Sequence, residues 1–428
     1  MPRPALAHHR PLLRATVAVA GLALLAACTT SGGTTGSGPQ TAATQPGATG
    51  GAAPSTGAAP TATSAPVTLD SNVAPDATGV PVDTVVSASA AGGALVSVEL
   101  SYQDAKAAKV AVAGEVSPDS STWTAGGLLE PSTTYTLAIV GRSNDGAELT
   151  AKRTFTTLAL SNKQQFTATI IQNGATVGVA MPVIVKFSGP IKDKAAVERR
   201  LKVTSVPAQP GGWAWYSNNE IHFRPKVYWQ PGTKVSVTAG INGVSAGNGS
   251  YGKDDKTGGF TVGSSTIMKA DLTSHQMQVI QNGQLVRTVP ISGGRPGNAS
   301  RSGVKVISEK YENIVMDSAT VGIPKGSPGY YRTDVKWAMR ETWSGEFIHS
   351  APWSVGSQGR ANVSHGCLNV SPANAQWLFG IVKVGDPVET VNSGRNLERG
   401  NGWTDWTTSF EDFVKYSALA PGGGQPTG

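Results

Sequence analysis

Cysteine and histidine are scarce: two and six in 428 residues. Charged residues make up only 15% of the chain, and no basic stripe is interleaved with aromatics, so nothing argues for nucleic acid. Beyond the N-terminus no segment is apolar enough to span a bilayer. What is abundant is glycine (52) and proline (27), a balance suited to many short strands and turns rather than long surface helices. The expected class is mainly β, and a chain of this length calls for several domains, here three.

The N-terminus pairs a basic start (Arg3, Arg10, Arg14) with an apolar run from Ala15 to Ala27 that is too short for a comfortable span, which reads as an export signal over residues 1–27. The run ends in Leu25-Ala26-Ala27-Cys28, which resembles the bacterial lipobox, where the cysteine sulfur takes a lipid and becomes the first residue. Cys28 would then be an anchor on the outer face of the cell membrane, from which the chain reaches into the wall. An ordinary signal peptide with an incidental cysteine is the other reading. Removing residues 1–27 lowers Lys plus Arg from 35 to 32 against 28 acids, so net charge falls from +7 to +4. Such mild basicity fits an anionic envelope surface and specifies no partner. With Cys28 lipidated, Cys367 has no partner for an intramolecular disulfide and is either a buried, inert thiol or one kept for its reactivity.

Residues 28–66 are nearly all Thr, Ser, Gly, Ala, Pro and Gln, without charge or aromatic ring, and read as a disordered tether. Alternating segments follow, among them ALVSVELSY (94–102) and TTYTLAIVGR (133–142), bounded by turn residues. KVYWQPGTKVSVTAG (226–240) repeats the layout of LEPSTTYTLAIVG (129–141), which predicts two immunoglobulin-like β-sandwich modules at 67–158 and 159–264. From Ser265 the pattern changes: two strands joined by Gln281-Asn282-Gly283, then Gly-rich loops, a helix from Pro372 to Val382 capped by Ser371, and a closing strand at PVETV. Past residue 395, Trp403, Trp406, Phe410 and Phe413 recur at helical spacing, predicting a helical tail over 396–420 before a disordered end at 421–428.

The chemistry concentrates in VSHGCLNVSP (363–372), where one histidine and one cysteine flank a single glycine. A cysteine nucleophile needs a base, something to hold that base, and donors for the oxyanion. His8 and His9 leave with the signal, His222 lies in an alternating strand and His275 at an early hairpin, so the candidate bases are His349 and His365. No histidine follows Cys367, which excludes a papain-like order, and Ser-His-Gly before the cysteine departs from sortases. A zinc site from His349, His365 and Cys367 matches no common ligand spacing, and no metal or cofactor is implied.

His349-Ser350 followed by Ser364-His365-Gly366-Cys367-Leu368-Asn369, with Met316 and Tyr330-Tyr331 upstream, resembles the L,D-transpeptidase catalytic domain, in particular its two-module lipoprotein type in mycobacteria and related actinobacteria. The resemblance covers roughly residues 265–415, with the catalytic domain proper at 265–395 and a tail that packs back on it. It implies Cys367 as nucleophile, His349 as the base paired with its sulfur, and Ser350 as the residue whose carbonyl orients the imidazole. His365 would shape the loop through backbone hydrogen bonds, although Gly366 would also let it fold back onto the sulfur. Backbone N–H groups around Gly366 and Cys367, with the Tyr331 hydroxyl, would form the oxyanion hole, and Met316, Trp353, Ser364 and Asn369 would line the substrate grooves. Asn369 departs from the broad family, where many members carry arginine. Peptidoglycan stem peptides are the implied substrates and carbapenems the implied inhibitors. The competing hypothesis is a non-catalytic wall-binding lipoprotein in which Cys367 is inert.

Overall fold

A computed structural model describes residues 66–420. The expected export signal, Cys28, the tether up to residue 65 and the end at 421–428 lie outside the described residues. The fold is mainly β.

Two sandwiches come first. One packs the sheet holding Thr68–Ser71, Ser87–Ala91, Thr122–Ala125 and Gly114–Val116 against a five-stranded sheet centred on Gly93–Gln103, Thr134–Ser143 and Glu148–Thr157. Alternation decides which side of Thr134–Ser143 faces in: Tyr135, Leu137 and Ile139 are buried and meet Trp123, Leu100 and Phe155. The Tyr135 hydroxyl accepts from Glu130 N at 2.8 Å, a tyrosine corner of the kind immunoglobulin-like sandwiches use. The other sandwich pairs Ala168–Ile170, Val183–Phe187, Glu220–Pro225 and Gly211–Trp215 in one sheet, and Thr176–Val177, Lys256–Val262, Lys234–Ala239 and Leu201–Val206 in the second.

The last segment holds two further sheets. Gln284–Pro290, Gln276–Gln281, Thr266–Asp271, Pro387–Val391 and Gly303–Val306 form one; Glu309–Asp317, Arg332–Arg340, Phe347–Ser350 and Leu368–Val370 form the other. Asn282 and Gly283 both have positive φ (50° and 83°), the geometry of a tight hairpin turn. The stretch from 265 to 290 holds three strands rather than two, because the chain also reverses before Gln276, at His275 (φ 58°). The helix Pro372–Ile381, begun by Ser371 accepting from Asn374 N, lies against Arg332–Arg340 and Phe347–Ser350, and Leu378 joins Met268, Ile348, Leu368 and Val388 in a shared core.

The second sandwich and this segment meet backbone to backbone. Gly178 N donates to Val384 O (2.8 Å) and Ala180 N to Gly385 O (2.9 Å). The approach is so close that a Cβ on Gly178 would sit 2.2 Å from Asp386 N, which only glycine permits.

The tail departs from expectation twice. Its helix spans only Phe410–Val414, because Ser409 caps it there, while Trp403 and Trp406 lie in irregular chain. Nor does it pack chiefly on the catalytic segment. The Trp406 indole donates to Ala180 O (2.8 Å) and Trp215 N donates to Tyr416 O, while Trp403 bridges to Val306 at the edge of the second sandwich's core. Arg224 of that sandwich stacks on Trp406, Phe410 and Phe413, and buried His222 binds Asp405 through Nδ1 and Glu220 through Nε2, each at 2.8 Å. Toward the catalytic segment the tail adds fewer links, among them Thr407 Oγ1 to Val304 O and Arg301 to Glu398. It is thus a strap across both.

Candidate active site

Cys367 ends a loop whose shape is set by short polar side chains. Asn369 and Ser292 exchange backbone hydrogen bonds (2.9 and 3.0 Å), Ser364 N donates to Gly293 O, and Arg295 N donates to Ser364 O. Ser364 Oγ closes the turn by donating to Cys367 O (2.7 Å) and accepting from Gly366 N (3.0 Å). Gly366 adopts φ +127°, outside the ordinary range of other residues.

His349, the candidate base, comes from the neighbouring strand. Phe347–Ser350 runs parallel to Leu368–Val370 with Ile348 level with Leu368 and His349 with Asn369. Side chains alternate between faces, so His349 and Cys367 project from the same face as diagonal neighbours, which lie roughly 7–8 Å apart at their backbones. Both line one open cavity of about 410 Å³ with Met316, Tyr331, Thr333, Val335, Trp353, Ser354, Ser357, Val363, Ser364, His365 and Asn369.

His349 is buried, and its Nδ1 lies 2.9 Å from Ser350 O. A carbonyl only accepts, so Nδ1 carries the hydrogen and Nε2 keeps its lone pair. Burial holds the imidazole neutral, lowering its pKa to about 4. The thiol is also neutral: burial, with smaller contributions from Glu346 and Glu341, pushes it up to about 12. Two neutral partners replace the ion pair that a base paired with the sulfur suggests. Sγ leans toward Gly345 O at 3.6 Å rather than onto the imidazole.

The remaining expected residues divide. Met316 is buried at the cavity wall, and the Tyr331 hydroxyl is kept protonated, pushed to about 12 by burial and by the charge a thiolate would carry. Trp353 is 58% exposed with its ring 6.0 Å from that of His349, an apolar plate at the mouth. Asn369 is buried and donates to Ser354 Oγ (3.1 Å), which spends its amide on the cavity wall. His365 does not bond backbone: its exposed ring accepts from Arg295 Nη2 (2.9 Å) and tilts against Tyr331, so Ser364 shapes the loop instead. Burial and Arg295 lower the pKa of His365. Gly366 N–H is already used by Ser364. Sequence reasoning missed Arg295, Ser354 and Thr333; they come from separate loops and strands, and nothing local marks them.

Comparison with known proteins places the chain in a family. Residues 77–245 match the bacterial Ig domain family and residues 265–390 the L,D-transpeptidase catalytic domain. L,D-transpeptidase 2 of Mycobacterium tuberculosis is 39% identical over 342 residues, covering 79% of this chain and 82% of the relative. L,D-transpeptidase 5 of the same species is 37% identical, covering 74% and 70%, and its L,D-transpeptidase 1 is 43% identical, covering 51% and 82%. A solved L,D-transpeptidase in complex with imipenem is 42% identical, covers 52% of this chain and 97% of its own, and has a TM-score of 0.47. These matches define a catalytic domain preceded by Ig-like modules. The chain belongs to the L,D-transpeptidase family.

Proposed function

We propose that this chain is a lipid-anchored transpeptidase, held at Cys28 on the outer face of the membrane, that joins peptidoglycan stem peptides through a thioester on Cys367. Carrying the reading is the placement of His349 and Cys367 on one sheet face in one cavity, with Ser350 O fixing the tautomer that leaves Nε2 free to take a proton.

As Sγ attacks the L-centre carbonyl of a diaminopimelyl residue in a tetrapeptide stem, the thiol proton passes to Nε2. The tetrahedral intermediate collapses, the C–N bond to D-alanine breaks, and the imidazolium returns the proton to the leaving amine. The side-chain amine of a second stem then attacks the thioester, gives its proton to His349, and the C–S bond breaks as the sulfur regains that proton. A neutral thiol and neutral imidazole suit this order, since the proton moves only as the S–C bond forms. With Gly366 N–H engaged, the oxyanion donors are the Cys367 N–H and the Tyr331 hydroxyl, which stays protonated at the pH of the reaction.

Mass spectrometry of the purified protein incubated with a disaccharide tetrapeptide, and separately with a carbapenem, tests the reading. A stem thioester, stem dimers and a carbapenem adduct on Cys367 are expected, all absent from Cys367→Ala. Stem dimers from Cys367→Ala would remove this cysteine from the mechanism.

A further inference from the structure

Directly behind the nucleophile turn lies a buried charge cluster that none of these steps uses. Lys305 Nζ is 3.2 Å from Glu341 Oε1 and 3.4 Å from Glu346 Oε2, and the Lys305 and Glu341 side chains have no exposed surface. Arg301 reaches Glu346 Oε1 through Nη1 (2.7 Å) and through its own backbone N–H (3.2 Å), and holds Glu398 with Nε (2.5 Å). Taking four such groups out of water is costly, and a packed apolar core would serve stability as well or better. The location suggests a use. Glu346 stands immediately before the strand that bears His349, and a Cβ on Gly366 would lie 3.5 Å from Glu346 Cγ and 3.6 Å from its Oε1. The Glu346 side chain therefore lies behind Gly366, the residue preceding Cys367, at the distance a Cβ there would bridge.

Every charged or titratable group facing the sulfur can be named. Glu341 and Glu346 come from the turn before Phe347, Lys305 from Gly303–Val306, His349 from its own strand, and Tyr331 from the opposite wall. Arg301 acts through Glu346, and His365, on the nucleophile's own loop, faces Arg295. Two carboxylates are thus set against the Lys305 ammonium and the Arg301 guanidinium, and burial raises the pKa of Glu341.

We propose that Glu346, fixed by Arg301 and Lys305, is a positioning residue for acyl transfer: it backs the Gly366 turn that carries Cys367 and sets a carboxylate charge close to that turn. The inference deepens the transpeptidase reading and rests on it for the identity of the acyl transfer. A thiol kept neutral in the resting site is protected from oxidants and stray electrophiles, which attack thiolate, and no second cysteine stands among the described residues to reverse the damage.

Iodoacetamide alkylation of the purified chain against pH, run beside carbapenem acylation, tests it. Glu346→Gln should alkylate about tenfold faster at pH 8, a shift of roughly one unit in the thiol's titration, because one carboxylate facing the sulfur loses its charge. Glu341→Gln leaves the Arg301–Glu346 pair intact and should shift the profile in the same direction by less; it carries the test if Glu346→Gln does not fold. Glu346→Asp keeps the charge but withdraws it from Gly366, so its alkylation profile should stay near that of the parent while carbapenem acylation slows. An unchanged or upward-shifted profile in the folded glutamine variants overturns the proposal. Absence of stem dimers from the parent protein would instead remove the transpeptidase reading and leave the alkylation result standing.

Discussion

Asp405→Asn probes how firmly the C-terminal strap is fastened. Asp405 is buried with its Oδ1 2.8 Å from His222 Nδ1, and His222 is itself 1% exposed between Asp405 and Glu220. Removing one partner of a buried pair costs about 3–5 kcal/mol, and because asparagine still offers an acceptor oxygen the lower end applies, near 3 kcal/mol. For a unit the size of the second sandwich with its catalytic partner that is roughly 6–12 °C in unfolding temperature. The pH dependence carries the sharper signature. Burial disfavours the His222 imidazolium, but Asp405 and then Glu220 outweigh it, and the net shift is upward. A raised value means the stabilisation is whole below the unfolded pKa of about 6.5 and is lost as pH climbs through the higher folded one. Thermal unfolding followed by tryptophan fluorescence should therefore show a wide gap between parent and Asp405→Asn at pH 6 that narrows at pH 9. A gap of equal width at both pH values, or none at pH 6, would refute the assignment of charge to this histidine.

Three further outcomes follow from the site and the N-terminus. His349→Ala should slow carbapenem acylation by about a hundredfold or more, whereas His365→Ala, which loses only Arg295 and Tyr331 as neighbours, should cost less and keep its pH profile; the reverse order of losses would exchange their roles. With His349 titrating at about 4, acylation by the parent should hold down to pH 5 and fall only as pH drops through that value, a limb absent from the alanine variant. Cys28→Ala should move the protein from the membrane fraction to the medium while the purified enzyme stays active, since one lipid would be its anchor; retention in the membrane would point to another attachment.

Cys367 and His349 were legible as candidates because cysteine and histidine are rare in this sequence, and Ser350 because it directly follows His349. Cys367 and His349 could be named from a short count, and the parallel pairing of Phe347–Ser350 with Leu368–Val370 brings them to one face. The electrostatic state of the pair was not legible. A histidine near a cysteine suggests an ion pair, but whether the proton has already moved depends on burial and on Glu346, Glu341 and Lys305, which enter from other elements. His365 misled for the opposite reason: adjacency to Cys367 suggested a loop-shaping role, yet its side chain points out to Arg295 while inconspicuous Ser364 makes the bonds.

The tail shows where periodicity stops being informative. Spacings of three, four and three among Trp403, Trp406, Phe410 and Phe413 satisfy a helical face, but a helix also needs a start, and Ser409 supplies one only before Phe410. Upstream of it the tryptophans are placed by what receives them. Trp403 finds Val306 and the Trp343 ring, and Trp406 finds Arg224 and the Ala180 carbonyl, partners some two hundred residues earlier in the chain. Arg224 and His222 read as ordinary members of an alternating strand because, Glu220 apart, the groups that receive their polar atoms, Asp405, Thr408 O and the aromatic faces of the strap, come from the far end of the chain. A strand residue that is buried and charged therefore signals a partner from elsewhere. Here the partner fastens the second sandwich to the segment bearing Cys367, so loosening Asp405 should be felt at both.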